Sequence, residues 1–184
     1  MANHFPYSQS TRPMRIPLLA ALAGLAFLAR PVQAQQKDEK AQEVIAKFKE
    51  QKPELAKFFE NARGYAVYPS VGKGAIGVGG AHGDGFVYEG GKLIGKTSLT
   101  QVTIGLQLGG QAYSEIVFLQ DKASMDSFKN GKIKLDGQAS AVAVTARAGL
   151  DLAYRNGVAI VTMVKGGLMY EASVGGQQFS FKPL

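Results

Sequence analysis

From Gly64 onward, glycines are set among alternating apolar and polar residues, and that combination restricts the chain to tightly turned β-structure. Residues 101–108 show the alternation most cleanly. Val102, Ile104, Leu106 and Leu108 occupy one face, and Gln101, Thr103, Gly105 and Gln107 the other, which predicts a half-buried strand. Residues 116–119 and 158–164 are apolar on both faces, as central strands are. Phe179 and Phe181 alternate with Gln178, Ser180 and Lys182 in a last strand. Glycine supplies 23 of 184 residues, well above the usual ~7%. Its doublets and near-doublets (Gly83-Asp84-Gly85, Gly90-Gly91, Asn156-Gly157, Gly166-Gly167, Gly175-Gly176) read as hairpin turns.

Upstream the period changes. Val44, Ile45, Phe48, Leu55, Phe58, Phe59 and Ala62 recur at spacings of three, four and seven, so residues 35–61 are expected to be helical. Pro53 interrupts this pattern and suits the first turn of a second helix, which gives two short helices or one kinked near Lys52. Residues 37–60 carry six lysines and six acidic residues. A membrane-surface helix usually has a basic excess on its polar face, so this balance favours a helix that covers a sheet. A second helical island follows Asp121, a natural N-cap, with Met125 and Phe128 facing inward and Gly131 ending it. The expected fold is α+β: a short N-terminal helical segment, then a glycine-rich, mainly antiparallel sheet or barrel with one inserted helix. Residues 35–61 form the helical segment and 62–184 the β-rich domain, with 40–61 packing onto it as one domain.

Residues 1–34 read as a secretory signal peptide. Arg12 and Arg15 precede an apolar run over 16–28, and Val32-Gln33-Ala34 offers a small-residue cleavage site. The run is short of the ~20 residues that span a bilayer. Met14 would also make a compact start. The expected protein is exported, periplasmic or associated with the outer envelope, with cleavage after Ala34.

Composition excludes several chemistries. With no cysteine in the chain there is no disulfide framework, zinc-thiolate site, cysteine nucleophile or lipidated N-terminal cysteine. The formal charge is +7, and removing Arg12, Arg15 and Arg30 with the signal leaves 18 basic against 14 acidic residues, or +4. That mild excess is no nucleic-acid footprint. Gly90-Gly91-Lys92-Leu93-Ile94-Gly95-Lys96-Thr97 satisfies the phosphate-loop pattern letter for letter. The mechanism needs backbone N–H groups converging at a helix start, however, and residues 98–108 read as strand. The Gly72–Gly77 match to the dinucleotide pattern lacks a following helix as well. Its glycines are expected to let a strand bend or a backbone approach closely. No nucleotide, cofactor or metal is expected.

Catalytic groups are equally sparse. His82, two residues before Asp84, reads as a turn histidine. No serine sits in a nucleophile elbow, and no carboxylate pair stands out as an acid/base couple. An enzyme is not expected.

The wording of the strands carries a resemblance. Residues 62–74 (Ala-Arg-Gly-Tyr-Ala-Val-Tyr-Pro-Ser-Val-Gly-Lys-Gly) are similar to the entry motif of the SYLF domain family, and Gly77-Val78-Gly79-Gly80-Ala81-His82-Gly83 continues it. Residues 98–111 resemble the family's glycine-rich signature, 121–131 its inserted helix and 138–144 its following strand. The resemblance runs from about Lys40 to Leu184. It implies a lipid-binding protein, since eukaryotic members associate with phosphoinositide membranes and a yeast branch also binds actin. Export would separate this chain from actin and from phosphoinositides.

The resulting expectation is a non-enzymatic, exported lipid-binding protein that recognises anionic headgroups through basic, glycine-rich loops. Lysines in such turns sit beside backbone N–H dipoles that favour anions. Lys73, Lys92 and Lys96 meet that description, and Arg63 precedes the first strand. The alternatives are a carrier that holds an apolar ligand inside a barrel and an envelope scaffold without lipid affinity whose strand edges pair with a partner.

Overall fold

The computed structural model describes Met1 and residues 32–135, 142–143 and 152–184. The chain divides into Met1–Arg30 and Pro31–Leu184, and the second unit carries every element below. Most of the signal segment expected over 1–34, and residues 138–141 and 144 of the expected strand, lie outside the described residues.

Helix α1 spans Val32–Gln51 and begins three residues before the expected cleavage point. Ala41, Val44, Ile45 and Phe48, spaced by three and four, form its buried face. The chain breaks at Lys52, whose φ of −141° is not helical, and Pro53 opens a 3-10 turn over Pro53–Leu55. Helix α2, Ala56–Asn61, follows directly. Phe59 meets Phe118 edge-on, with ring centroids 4.9 Å apart, and the Tyr88 hydroxyl donates to the Asp38 carboxylate of α1. The helical segment therefore covers a sheet, as its charge balance suggests.

Three long strands dominate: β1 (Gly64–Glu89), β2 (Lys92–Leu119) and, after α3 (Lys122–Lys129) and the short β3 (Lys134–Leu135) and β4 (Val142–Ala143), β5 (Val158–Pro183). The sheet order is β1-β2-β5-β3, all antiparallel, with β4 parallel to β5, and the sheet is not closed into a barrel. Gly90 and Gly91 make a true hairpin turn with φ of +56° and +76°, and Asn156-Gly157 makes another at +51° and +77°.

The other glycine doublets are not turns. Gly83-Asp84-Gly85 lies inside β1, and Gly166-Gly167 and Gly175-Gly176 lie inside β5. They have the composition of a turn, yet the strand continues through each of them. A Cβ at Gly85 would lie 2.5 Å from the Val67 carbonyl oxygen, and one at Gly83 would lie 2.9 Å from the Ser70 oxygen. Strand β1 thus doubles back on itself, with its halves pressed together where side chains are missing. Register shifts between Tyr68 and Val71 and between Ile76 and Val78 bend it. The crest falls at Ile76, whose register partner is Leu108, which in turn pairs with Tyr170. All three long strands fold over along this one line.

Folding over creates an inner and an outer face. Ala66, Tyr68, Leu99, Val117 and Leu119 line the inner core, together with Met125 and Phe128 of α3. Val67, Phe86, Tyr88, Ile116 and Phe118 face outward, where α1 and α2 bury them. The doubly apolar runs at 116–119 and 158–161 serve both cores at once. Helix α3 is set by Asp121, whose carboxylate accepts from the Ser124 N–H at 2.8 Å while the Ser124 hydroxyl accepts from the Asp121 N–H, a reciprocal capping box. Gly131, at φ +64°, ends it.

Candidate functional site

Beneath the crest, the two leaves of the folded sheet leave a polar cleft of about 190 Å³. Gln111, Tyr113 and Glu115 of β2 line it, with Thr162 and Gln177 of β5, Gln101 from the other half of β2 and Lys73 of β1. Glu115 is wholly buried. One carboxyl oxygen accepts from the Gln177 side-chain amide at 3.0 Å. Its other oxygen, and the Gln177 carbonyl oxygen, are buried without a hydrogen-bond partner among the described residues. Burial pushes the Glu115 carboxyl up to about 7, and the Gln177 hydrogen bond only partly opposes this.

The cleft inverts the reading of residues 101–108 at the two positions that can be compared. Polar Gln101 faces the cleft, and Val102 is 59% exposed on the outer face. An alternating pattern fixes which residues share a face and leaves open which face is covered. Along the crest Ile76 is 84% exposed and Val78 64%. Val102 stands opposite Gly80, two residues on from Val78 in the same strand, so Val78 and Val102 share one face. The helices that bury the outer face at Phe86 and Phe118 leave it open here.

The structure distributes the four cations expected to form a headgroup site. Arg63 donates to Glu89 at 2.9 Å, and Lys129 holds the other oxygen of that carboxylate at 2.7 Å. Glu89 is accordingly held below the usual carboxylate range, chiefly by Lys129. Lys92 opens β2 at the Gly90-Gly91 turn. Lys96 lies within β2, opposite Phe86 on one side and Lys182 on the other, and so belongs to the outer face. Lys73 lies within β1 near the crest, on the cleft side. About six residues of strand, roughly 20 Å, separate its level from that of Lys96. Lys73 and Lys96 are therefore strand residues rather than loop residues, and Lys73 is not brought together with Lys92 and Lys96. Lys165, exposed in β5, approaches β1 instead and donates to the Pro69 carbonyl at 3.0 Å.

Two further sequence readings are placed by the fold. His82 is a strand residue on the exposed face, 3.9 Å from Asp84, and not a turn residue. The phosphate-loop look-alike runs from the hairpin turn straight into β2, so the helix its mechanism needs is replaced by strand.

Glu115 and Gln177 escaped the sequence reading. A signal was present: Glu115 is the one charge in the run Tyr113-Ser114-Glu115-Ile116-Val117, which otherwise reads as central strand. Gln177 carried none, because its meeting with Glu115 depends on the fold-back.

Comparison with known proteins adds two findings. A family described as "Ysc84: Las17-binding protein actin regulator" matches residues 100–182. "Beta cell expansion factor A" of Aeromonas veronii is 29% identical over 139 residues, which cover 74% of this chain and 52% of that protein. The chain thus spans about half the length of the curated relative it matches.

Proposed function

From the similarity of residues 100–182 to the SYLF (Ysc84) family, we propose that the chain is a non-enzymatic, exported envelope protein that binds anionic lipid surfaces through the crest of its folded sheet. The observation that carries this reading is the bare apolar line of Ile76, Val78 and Val102 where all three long strands turn over. Soluble proteins rarely leave such a patch uncovered without a use for it. Lys73 and Lys165 stand near the same line. Each lysine close to an anionic membrane contributes about 1 kcal/mol, so two alone give weak attachment. Insertion of three aliphatic side chains adds several kcal/mol, on the order of 1.5 kcal/mol each.

The carrier alternative requires an enclosed interior, and the sheet is open. An exported protein does not meet cytoskeletal actin, so the actin-regulating role in the family's description is not carried over.

The test is sedimentation with phosphatidylglycerol and phosphatidylcholine vesicles at low and high salt. Preferential pelleting with the anionic vesicles, reduced by salt and abolished by Ile76→Asp or Val78→Asp, supports the reading. Equal and negligible pelleting with both compositions overturns it.

A further inference from the structure

Glu115 sits where the apolar core between the leaves gives way to the polar cleft. Val117 and Phe179, two residues on from Glu115 and Gln177, belong to that core, and Gln111 and Gln101 line the cleft on the other side. The Glu115 side chain is wholly buried, and one carboxyl oxygen accepts from the Gln177 side-chain N–H at 3.0 Å. The other carboxyl oxygen and the Gln177 carbonyl oxygen are closed off from solvent and have no donor among the described residues. Two acceptors buried in this way call for a hydrogen that no neighbour supplies. Tyr68 and Lys73 of β1, Gln101 and Tyr113 of β2 and Thr162 and Gln177 of β5 face Glu115 from the elements around it. The Tyr68 hydroxyl is engaged with Thr97 at 2.8 Å. Only burial and the Gln177 bond act on the Glu115 carboxyl, so no cation compensates a charge there.

A retained proton meets both needs. A neutral carboxyl has an O–H to donate, and the amide already bonded to it carries the Gln177 carbonyl oxygen as an acceptor. An ionised carboxylate has no hydrogen. It leaves both oxygens without a partner and buries an uncompensated charge, which is far costlier in a dry site than in water. Water relieves that cost, and it reaches the carboxylate only if the leaves part. We propose that Glu115 and Gln177 form a proton-held latch: the leaves stay closed at this level while Glu115 keeps its proton, and separate on the β5 side to admit water when the proton is lost. The β1 side acts as the hinge, because main chain rests on main chain there at Gly83 and Gly85. The direction in which burial moves the Glu115 carboxyl agrees with such a device. The latch does not depend on what the crest binds.

Hydrogen–deuterium exchange of the full chain from about pH 5 to 8, corrected for the intrinsic pH dependence of exchange, tests this directly. An opening that releases one proton changes about tenfold per pH unit. Amide protection in residues 113–117 and 176–181 is expected to fall at about that rate up to about pH 7 and to level off above it, while α1 (Val32–Gln51) keeps its protection. Glu115→Gln replaces the proton by an amide N–H that does not titrate, so protection in the same segments is expected to be independent of pH. Protection that stays constant with pH in the unmodified chain overturns the latch, whether or not the variant folds. An equal fall in α1 also overturns it, because the proton is then released by unfolding of the whole chain. The same fall in Glu115→Gln does so too, because another group then carries the proton. Vesicle sedimentation reads the crest separately, so loss of one reading leaves the other standing.

Discussion

The Gln177 amide reaches the Glu115 carboxyl across 3.0 Å, although neither residue is the other's partner in the strand ladder. Glu115 pairs in register with Thr162, and Gln177 with Gln101. The bond therefore joins leaf to leaf and not strand to neighbouring strand, and it depends on the sheet being folded over.

Stability should fall as pH rises toward neutral through this acid. Glu115 titrates near 7 in the folded chain against 4.5 when exposed. Below pH 4.5 both states hold the proton; between 4.5 and 7 the folded state holds a proton that the unfolded state has released. The stabilisation is complete below 4.5, declines across that window and is lost above 7, amounting to about 3 kcal/mol at ~1.4 kcal/mol per unit. Among the described residues, Tyr68 and Lys73 from β1 and Tyr113 from its own strand face it, and burial holds the Tyr68 hydroxyl well above its ordinary range. Glu89, Asp121 and Asp126 work in the opposite sense at lower pH, because their carboxyls are held down by Lys129, Ser124 and Lys122. Comparing denaturant midpoints of the parent and Glu115→Gln from pH 5 to 8 isolates the Glu115 contribution. A difference that does not change with pH would contradict it.

Gly85→Ala should be severe and Gly74→Ala mild. The added methyl at Gly85 meets the Val67 carbonyl at 2.5 Å, a backbone atom that cannot rotate away. At Gly74 it meets nothing within 4 Å. We expect a loss of about 3 kcal/mol for the first and under about 0.5 kcal/mol for the second, measured by urea unfolding.

Much of this fold could be read directly from residue order. The helical pattern before Asn61, the break at Lys52–Pro53 and the Asp121 cap depend on local spacing and capping chemistry, and they appear where that chemistry puts them. The strands could be recognised as strands, but their length could not. Gly83-Asp84-Gly85 has the composition of a turn, and what distinguishes it from Gly90-Gly91 is a contact with residues 67–71 that no local pattern encodes. The candidate site suffered from the same limit. Lysines 73, 92 and 96 look alike in sequence, each beside glycine, yet the fold-back sends the first to the cleft and the third to the opposite face.

Removing the helix cap gives a smaller effect. Asp121→Ala deletes the acceptor for the Ser124 N–H and half of the reciprocal box, and should cost about 1 kcal/mol. Asp121→Asn, which retains an acceptor oxygen, should cost less. Thermal melts of both variants decide it, and equal losses would point to charge and not to the hydrogen bond.

Vesicle binding should follow the crest and not the hairpin. Lys92→Ala with Lys96→Ala removes two cations ten or more strand residues, roughly 30 Å, from the crest level, and we expect affinity for anionic vesicles to change less than about threefold. Val78→Asp should reduce it by tenfold or more without lowering the melting temperature, since Val78 is 64% exposed. Co-sedimentation at a single salt concentration ranks the two, and the reverse order would shift the contact surface to the hairpin end.

The close approach at Gly83 and Gly85 also sets how this protein can diversify. The gap between the leaves is gauged by main chain resting on main chain, so no sequence of gradual side-chain enlargements can widen it. New ligand preferences would have to arise by exchange at lining positions such as Gln101 and Thr162, against a spacing that stays constant.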